Sequence, residues 1–384
     1  MSADVEWLEQ ALPHWRRAVL KVGSNLLAAD GGGLTSRYAE ALAGFIAASH
    51  AAGRQVVLVS SGAVAAGRVL LRQHAADGSG LAARQALAAL GQAPMIALWQ
   101  SLSARPVAQV LLTHDDLRNR RRYLNARATL RELLVLDVLP VVNENDTVAV
   151  DELKLGDNDN LAAIVAALVD ADLLLIASDV DALYSADPRR DPAARPIAHV
   201  PALTPSILAM AGGSGSAVGT GGMRTKLEAA AKAAVAGIPT ALFSGRDAET
   251  VQALQHGRLH GTLFAAASSP MQARKYWLRH APAAMGRIRI DAGAAHALTG
   301  GRVSLLPGGV LGAEGEFHRG DLVEIVDMAE RPVARGLCQY GAAEVRRLAG
   351  RHSREIEGLL GYSYGAEVVH RDDLATVNDM GAVA

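Results

Sequence analysis

Between residues 143 and 160 the chain reads NENDTVAVDELKLGDNDN, which crowds Asn143, Glu144, Asn145, Asp146, Asp157, Asn158, Asp159 and Asn160 around two loops. Helix capping accounts for one Asp or Asn at each helix start, and not for this many. Short amide and carboxylate arms hold ammonium groups, position hydroxyls and bind magnesium through oxygen. The cluster therefore reads as a functional site, with capping a secondary duty of Asp157 or Asn158.

Further candidates stand where strands give way to helices. VLKVGSN carries Lys21 two residues before Gly23. A lysine at a buried strand end either snorkels to solvent or meets an anion. VLVSSGAVAAG carries Ser60, Ser61 and Gly62, small enough for backbone amides to approach a carboxylate or phosphate, although an N-cap serine would look the same. AVGTGGMRTKLEAAAKAA places Gly219, Gly221 and Gly222 before Thr225 and Lys226 at the head of an alanine-rich helix. It lacks the Walker spacing, yet a glycine turn followed by a lysine can cradle phosphates. Two lysines with a carboxylate and amide cluster point to phosphoryl transfer, a reaction catalysed by positioning and charge neutralisation. No G-x-G-x-x-G follows the first strand, and the 12 histidines show no H-E-x-x-H spacing.

The elements that must position these groups alternate. RAVLKVG, QVVLVSSG, PVAQVLL, VLPVVNEN and DLLLIASD read as strands. Helical stretches lie between them, including SRYAEALAGFIAASHAAG ending at Gly53 and AVAAGRVLLRQ. Nearly continuous apolar runs are expected of strands covered on both faces, so the fold class is α/β: an open, mostly parallel sheet sandwiched by helices. The alternation lasts to about Gly261, and SSPMQARKYWLRHAPAAMG then reads as a linker. Beyond it RIRI, SLLPGGV and DLVEIVD are short strands around one basic helix, AEVRRLAG, which makes a small β-rich domain. The domain reading is an N-terminal extension 1–16, a kinase-like domain 17–265, a linker 266–284, a small β-rich domain 285–370 and a C-terminal tail 371–384.

Bulk composition narrows the class. Of 384 residues, 50% are hydrophobic and 20% charged, which supports a large core and argues against disorder. A net charge of -1 offers no general attraction to nucleic acid or anionic membrane. The single cysteine, Cys338, reads as a small core residue. The acidic N-terminus does not read as a signal peptide and no run reaches membrane length, so the expectation is a soluble, cytoplasmic protein.

In their order along the chain, VLKVGSN, VSSGAVAAG, LLTHDDLRNRRRYLNARATL, PVVNENDTVA, KLGDNDNLAA, LYSADPR and GTGGMRTK resemble the glutamate 5-kinases of the amino acid kinase family. GRIRIDAGAAHAL, SLLPGGV, GEFHRGDLVEI and HSREIEGLLGY resemble the PUA domain appended to many of them. The resemblance covers nearly all of the chain from Arg17. It implies ATP-dependent phosphorylation of the γ-carboxylate of L-glutamate, the first step of proline synthesis, with Mg2+ accompanying the nucleotide and its ligands unassigned. Carried over by motif, Lys21 and Lys226 are the transition-state cations, and both contact the nucleotide. Asp157 and Asp159 organise the lysines and the substrate ammonium, or assist magnesium. Ser61, Asp146 and Asn158, with Asn143, hold glutamate. Ser178 and Asp179 form the nucleotide-side turn, and Thr220, Gly221, Gly222, Met223, Arg224 and Thr225 lead into Lys226 on the second nucleotide stretch.

Two positions depart from the pattern: Ser178 stands where threonine is expected, and Arg224 where a small residue is common. Arg224 either adds a cation near the phosphates or faces solvent. The family further implies feedback inhibition by proline and a homo-oligomer, dimer or tetramer. One rival reading is another acyl-acid kinase of the same family. A second is an RNA-binding protein acting through Arg346, Arg347, Arg351 and Arg354 of the small domain, against which stand the lack of interleaved aromatics and the overall charge.

Overall fold

The computed structural model describes residues 10–29, 33–71, 80–149, 158–210, 222–266, 284–301 and 303–377. The chain divides into two compact units, Met1–Pro270 and Met271–Ala384.

The first unit is built on an eight-stranded sheet. In chain order its strands include β2 (Arg17–Val22), β3 (Gln55–Ser60), β4 (Val107–Leu112), β5 (Leu139–Glu144) and β6 (Leu173–Ser178). After the short pair β7 (Leu183–Tyr184) and β8 (Pro196–Ile197) come β9 (His199–Val200), β10 (Thr240–Ser244), β11 (Arg258–Leu259) and β12 (Gly261–Phe264). The spatial order is β4-β5-β3-β2-β6-β10-β12-β9, parallel throughout except where β12 runs against β10.

Helices cover both faces, and the period-2 alternation of each strand decides which face a side chain meets. Ala18, Leu20 and Val22 of β2 enter one core, with α2 (Ala39–Ala51), α4 (Leu81–Leu102) and α10 (Ala248–Gln255). Val19 enters the other, with α6 (Arg120–Val135), α7 (Asn158–Leu168) and α9 (Met223–Val235). Lys21 is two residues from Val19, so the pleat points it to the face of α7 and α9. The chain moves from β2 to β3 on one side, while β6 pairs with β2 on the other. Such a reversal of strand order opens a crevice at the carboxyl ends of the strands.

The segment before Arg17 is structural where it is described, and not an appendage. β1 (Gln10–Ala11) pairs antiparallel with β11. Gln10 donates to the carbonyls of Ala198 and Gly261 at 2.6 and 3.0 Å. Trp15 is buried beside Phe45, ring centroids 6.1 Å apart, with Arg54 over its face. Leu12 and Trp15 of ALPHW supply the apolar anchors that hold it.

In the second unit β13 (Gly286–Ile290), β14 (Val310–Gly315), β15 (Leu322–Val326), β16 (Pro332–Cys338) and β17 (Val369–Thr376) form a sheet of order β14-β13-β15-β16-β17. Two sequence expectations are corrected here. Pro307–Gly309 is a 3-10 turn, so the strand expected over SLLPGGV begins only at Val310. The tail expected from residue 371 is instead the body of β17, whose Leu374 and Ala375 are buried. Its His370-Arg371-Asp372-Asp373 run interrupts the apolar pattern that marks a strand. Cys338 is buried and free, as a small core residue should be.

Behind the crevice, α3 (Ala63–Leu71) crosses α4 at glycine contacts. A Cβ at Gly91 would fall on the carbonyl of Ala63, and one at Gly67 on that of Leu87. Only a bare backbone permits this approach, and it fixes α3 directly after Ser61 and Gly62. Gly91→Ala is expected to lower the stability of the domain by roughly 2–3 kcal/mol, through forced separation of the helices. Gly44→Ala, in the middle of α2 with open space around its Cβ position, should leave stability unchanged or raise it by up to about 1 kcal/mol. Thermal and denaturant unfolding of the two variants checks the contrast.

Candidate active site

Lys21, Asp159 and Lys226 meet in the crevice. Lys21 Nζ lies 2.6 Å from Asp159 Oδ1, and Lys226 Nζ lies 3.3 Å from Asp159 Oδ2. The Thr225 hydroxyl donates to the same Oδ2 at 2.6 Å. All three charged groups are buried. Each arrives from a different element: β2 by its pleat, α7 by its first turn and α9 by its first turn. An acidic residue in the first turn of α7 is favoured by the helix dipole.

The electrostatics follow from one carboxylate serving two ammonium groups. Burial alone would push Asp159 up, but Lys21, Lys226 and the Thr225 hydroxyl hold it well below the usual carboxylate range. Burial pulls Lys226 down, and Asp159 only partly restores it. Taken by themselves, two ammonium groups and one carboxylate sum to one net positive charge, and Asp179 adds its own attraction on Lys226. An incoming anion such as a phosphoryl group would balance that surplus.

A second cluster sits beside the first, one residue earlier on α7. Asn158 Nδ2 donates to Ser61 Oγ at 2.7 Å and to Asn143 Oδ1 at 2.9 Å. Its Oδ1 is buried and has no hydrogen-bond partner among the described residues, which leaves an acceptor for a ligand N–H. Gly62, at φ +109°, is the residue that lets the chain leave β3 and enter α3 while presenting Ser61. Asp146 is half-buried beyond β5. Burial and the neighbouring Glu144 raise its pKa to about 6, against the opposing pull of Arg84.

On the other side of Lys21, at the end of β6, the Asp179 carboxylate accepts from Asn25 at 2.8 Å and from Ser178 at 3.2 Å. Burial opposes its ionisation, yet these hydrogen bonds and Arg246 hold its pKa below the ordinary value. The hydroxyl at residue 178 does here what a threonine hydroxyl would do.

Of the residues singled out from sequence, Lys21, Asp159, Lys226 and Thr225 form the first cluster; Asn158, Asn143 and Ser61 form the second. Ser178 and Asp179 stand at the end of β6. Gly222 is the N-cap of α9, and Met223 is partly buried against the core. Arg224 turns to solvent and pairs with Glu228 at 2.9 Å, which excludes it from the lysine centre. Asp157, Thr220 and Gly221 lie outside the described residues. Sequence reasoning missed Asn25, the partner of Asp179, although VGSN sits at a strand end where a polar group can reach the site. It also missed His114, 3.9 Å from the buried Glu144, which follows strand β4 in the same way.

These features are those of an α/β phosphotransferase whose cations lie on a sheet and on a helix N-terminus. The description "Amino acid kinase family" matches residues 16–244 and "PUA domain" residues 286–360. The chain belongs to the amino acid kinase family, and within it to the glutamate 5-kinases. It is 69% identical over 362 residues to the glutamate 5-kinase of Xanthomonas euvesicatoria pv. vesicatoria, covering 94% of this chain and 100% of that one. It is 66% identical over 370 residues to the glutamate 5-kinase of Xylella fastidiosa (strain M12), covering 95% and 96% respectively. Among solved structures it is similar to the carbamate kinase from Giardia lamblia bound to AMP-PNP, at 19% identity over 65% of this chain and 98% of that one, with a TM-score of 0.47.

Asp159→Asn removes the carboxylate that meets both buried ammonium groups. The expected stability loss at neutral pH is about 3–5 kcal/mol. A lysine whose folded-state pKa is depressed binds fewer protons folded than unfolded, so stability rises as the pH climbs toward the ordinary lysine value. The deficit of Asp159→Asn should therefore shrink in alkaline buffer, which chemical denaturation at a series of pH values would measure.

Proposed function

We propose that this chain transfers the γ-phosphoryl group of ATP to the γ-carboxylate of L-glutamate, forming L-glutamyl 5-phosphate, the first step of proline biosynthesis. The observation that carries the reading is the Lys21–Asp159–Lys226 bridge, a buried centre of net positive charge. A carboxylate acceptor is already ionised at neutral pH and needs no general base. What remains is to suppress repulsion between two anions and hold them in line. The lysines supply the first requirement and Asp159 keeps both in place. On the acceptor side Asn158, Asn143, Ser61 and Asp146 offer acceptors for the amino acid's ammonium and donors for its carboxylate.

Magnesium belongs to the proposal through the nucleotide. Among the described residues no three His, Cys, Asp or Glu side chains converge into a metal-holding group. That fits an ion carried largely by phosphate oxygens, with Asp159 or Asp179 within the same crevice as candidate protein oxygens. Proline as a competitor in the acceptor pocket, self-association and a cytoplasmic location complete the reading. No described helix is long and apolar enough to cross a membrane. The rival nucleic-acid reading loses ground in the small domain. Arg346 donates to the carbonyls of Ala313 and Gly315 at 3.0 and 2.7 Å, and Arg347 donates to that of Leu359, so their guanidiniums serve the fold.

Hydroxylamine trapping of the acyl phosphate tests the reaction directly. Hydroxamate should form with glutamate and ATP and not with aspartate or N-acetylglutamate, and Lys226→Ala should reduce kcat by at least roughly a hundredfold. Hydroxamate from another acid alone would reassign the substrate.

Asp146 gives a pH signature. Because its pKa is raised to about 6, it takes up a proton in mildly acidic buffer and loses its attraction for an ammonium group. The KM for glutamate should climb as the pH falls through about 6, while the KM for ATP stays level. Asp146→Asn should raise the glutamate KM at pH 8 and abolish the step; a step that persists in the variant assigns it elsewhere.

A further inference from the structure

Trp99, on the α4 helix, takes no part in the chemistry, yet its indole ends at the acceptor cluster. It is fully buried, and its Nε1–H donates to Ser60 Oγ at 2.8 Å. An indole N–H can only donate, so the Ser60 hydroxyl must direct its own proton elsewhere. It donates to the carbonyl of Ser61 at 3.1 Å. The Ser61 N–H in turn donates to the carbonyl of Val22 at 3.2 Å, and Ser61 Oγ accepts from Asn158 at 2.7 Å. Ser61 is thus held at its amide, its carbonyl and its side chain, and the carbonyl restraint depends on the orientation that Trp99 imposes on Ser60.

Trp99 is among the largest fully buried side chains, and it also lines a cavity of about 180 Å³ with Ala43, Ile46, Ala47, His50 and Leu102. Its Nε1–H is the polar tip by which the indole meets the serine turn. We propose that Trp99 is a positioning residue for the acceptor pocket: through Ser60 it sets the turn that presents Ser61 to Asn158 and to the amino acid substrate. This assignment rests on reading that pocket as the glutamate subsite.

The test compares Trp99→Phe, which keeps an aromatic ring and loses the N–H, with Ser60→Ala, which removes the acceptor at little change in volume. Each should raise the KM for glutamate roughly threefold to tenfold, the range one hydrogen bond supports. The KM for ATP and kcat should stay within about twofold, since the lysine centre is untouched. The combined variant should be no worse than the more affected single one, because both remove the same link. Should Trp99→Phe fail to fold, Ser60→Ala still tests the link alone. An unchanged glutamate KM, or a parallel shift of both KM values, kcat and the unfolding midpoint, would overturn the proposal in favour of simple core packing.

Hydrogen exchange provides an arm independent of substrate identity. The amide of Ser61, bonded to the Val22 carbonyl, should exchange faster in both variants while those of β2 keep their protection. Absence of glutamate turnover in the wild type would refute the assigned reaction, and the exchange arm would still decide the role of Trp99: unchanged exchange at Ser61 rejects it.

Discussion

Two ammonium groups buried against one carboxylate form the constraint on which the rest of the molecule turns. Asp159 reaches Lys21 at 2.6 Å and Lys226 at 3.3 Å, and no pair of these three side chains comes from the same element. Burying a lysine is costly unless an anion meets it, and two lysines with one aspartate remain one charge short. The fold tolerates this because the surroundings are held rigidly. Four neighbouring strands, β5, β3, β2 and β6, are almost wholly buried, and α7 is buried through its entire first turn. On the proposed reading the surplus positive charge of this trio serves the reaction, since it favours a transferring phosphoryl group over neutral ligands.

Much of this arrangement was legible in the residues. The strands announced themselves through unbroken apolar runs, and such runs arise when helices cover both faces of a sheet. The lysine pair, the GDNDN turn and the serine turn could be picked out because polar groups at strand ends have few structural duties. α4 was harder to delimit. Its alanines and leucines lie all round the helix and show no apolar stripe, because one face meets the core, another meets α3, and some alanines stay exposed. β17 was hidden by the opposite fault, four polar residues in the middle of a strand. Its Asp373 is nevertheless fully buried, which no reading of hydrophobic pattern anticipates.

Side-chain direction was the part least available. Arg224 and Lys226 are two residues apart on α9, and the 3.6-residue period sends them to opposite sides. The clue to Arg224 was local, a glutamate four positions later that could pair with it along the helix surface. The pairing of Asn158 with Ser61 spans 97 residues of chain and depends on β3 and β5 being neighbours in the sheet. Such a contact is a property of topology, and only the strand order makes it.

The two clusters on α7 divide the labour according to how they are held. Asp159 belongs to the cluster fixed by charge, where attraction acts from several directions and tolerates small displacements. Asn158 belongs to the cluster fixed by directional hydrogen bonds from an amide whose two protons are already engaged by Ser61 and Asn143. Consecutive residues at a helix start point about 100° apart, so one turn of backbone serves both halves of the crevice without either side chain reaching across the other. Transfer between two anions needs that separation and that proximity together. The phosphoryl group must be drawn by charge, while the acceptor must be oriented by geometry. On the proposed assignment, a helix that starts with Asn-Asp-Asn in the crevice would supply both within its first turn.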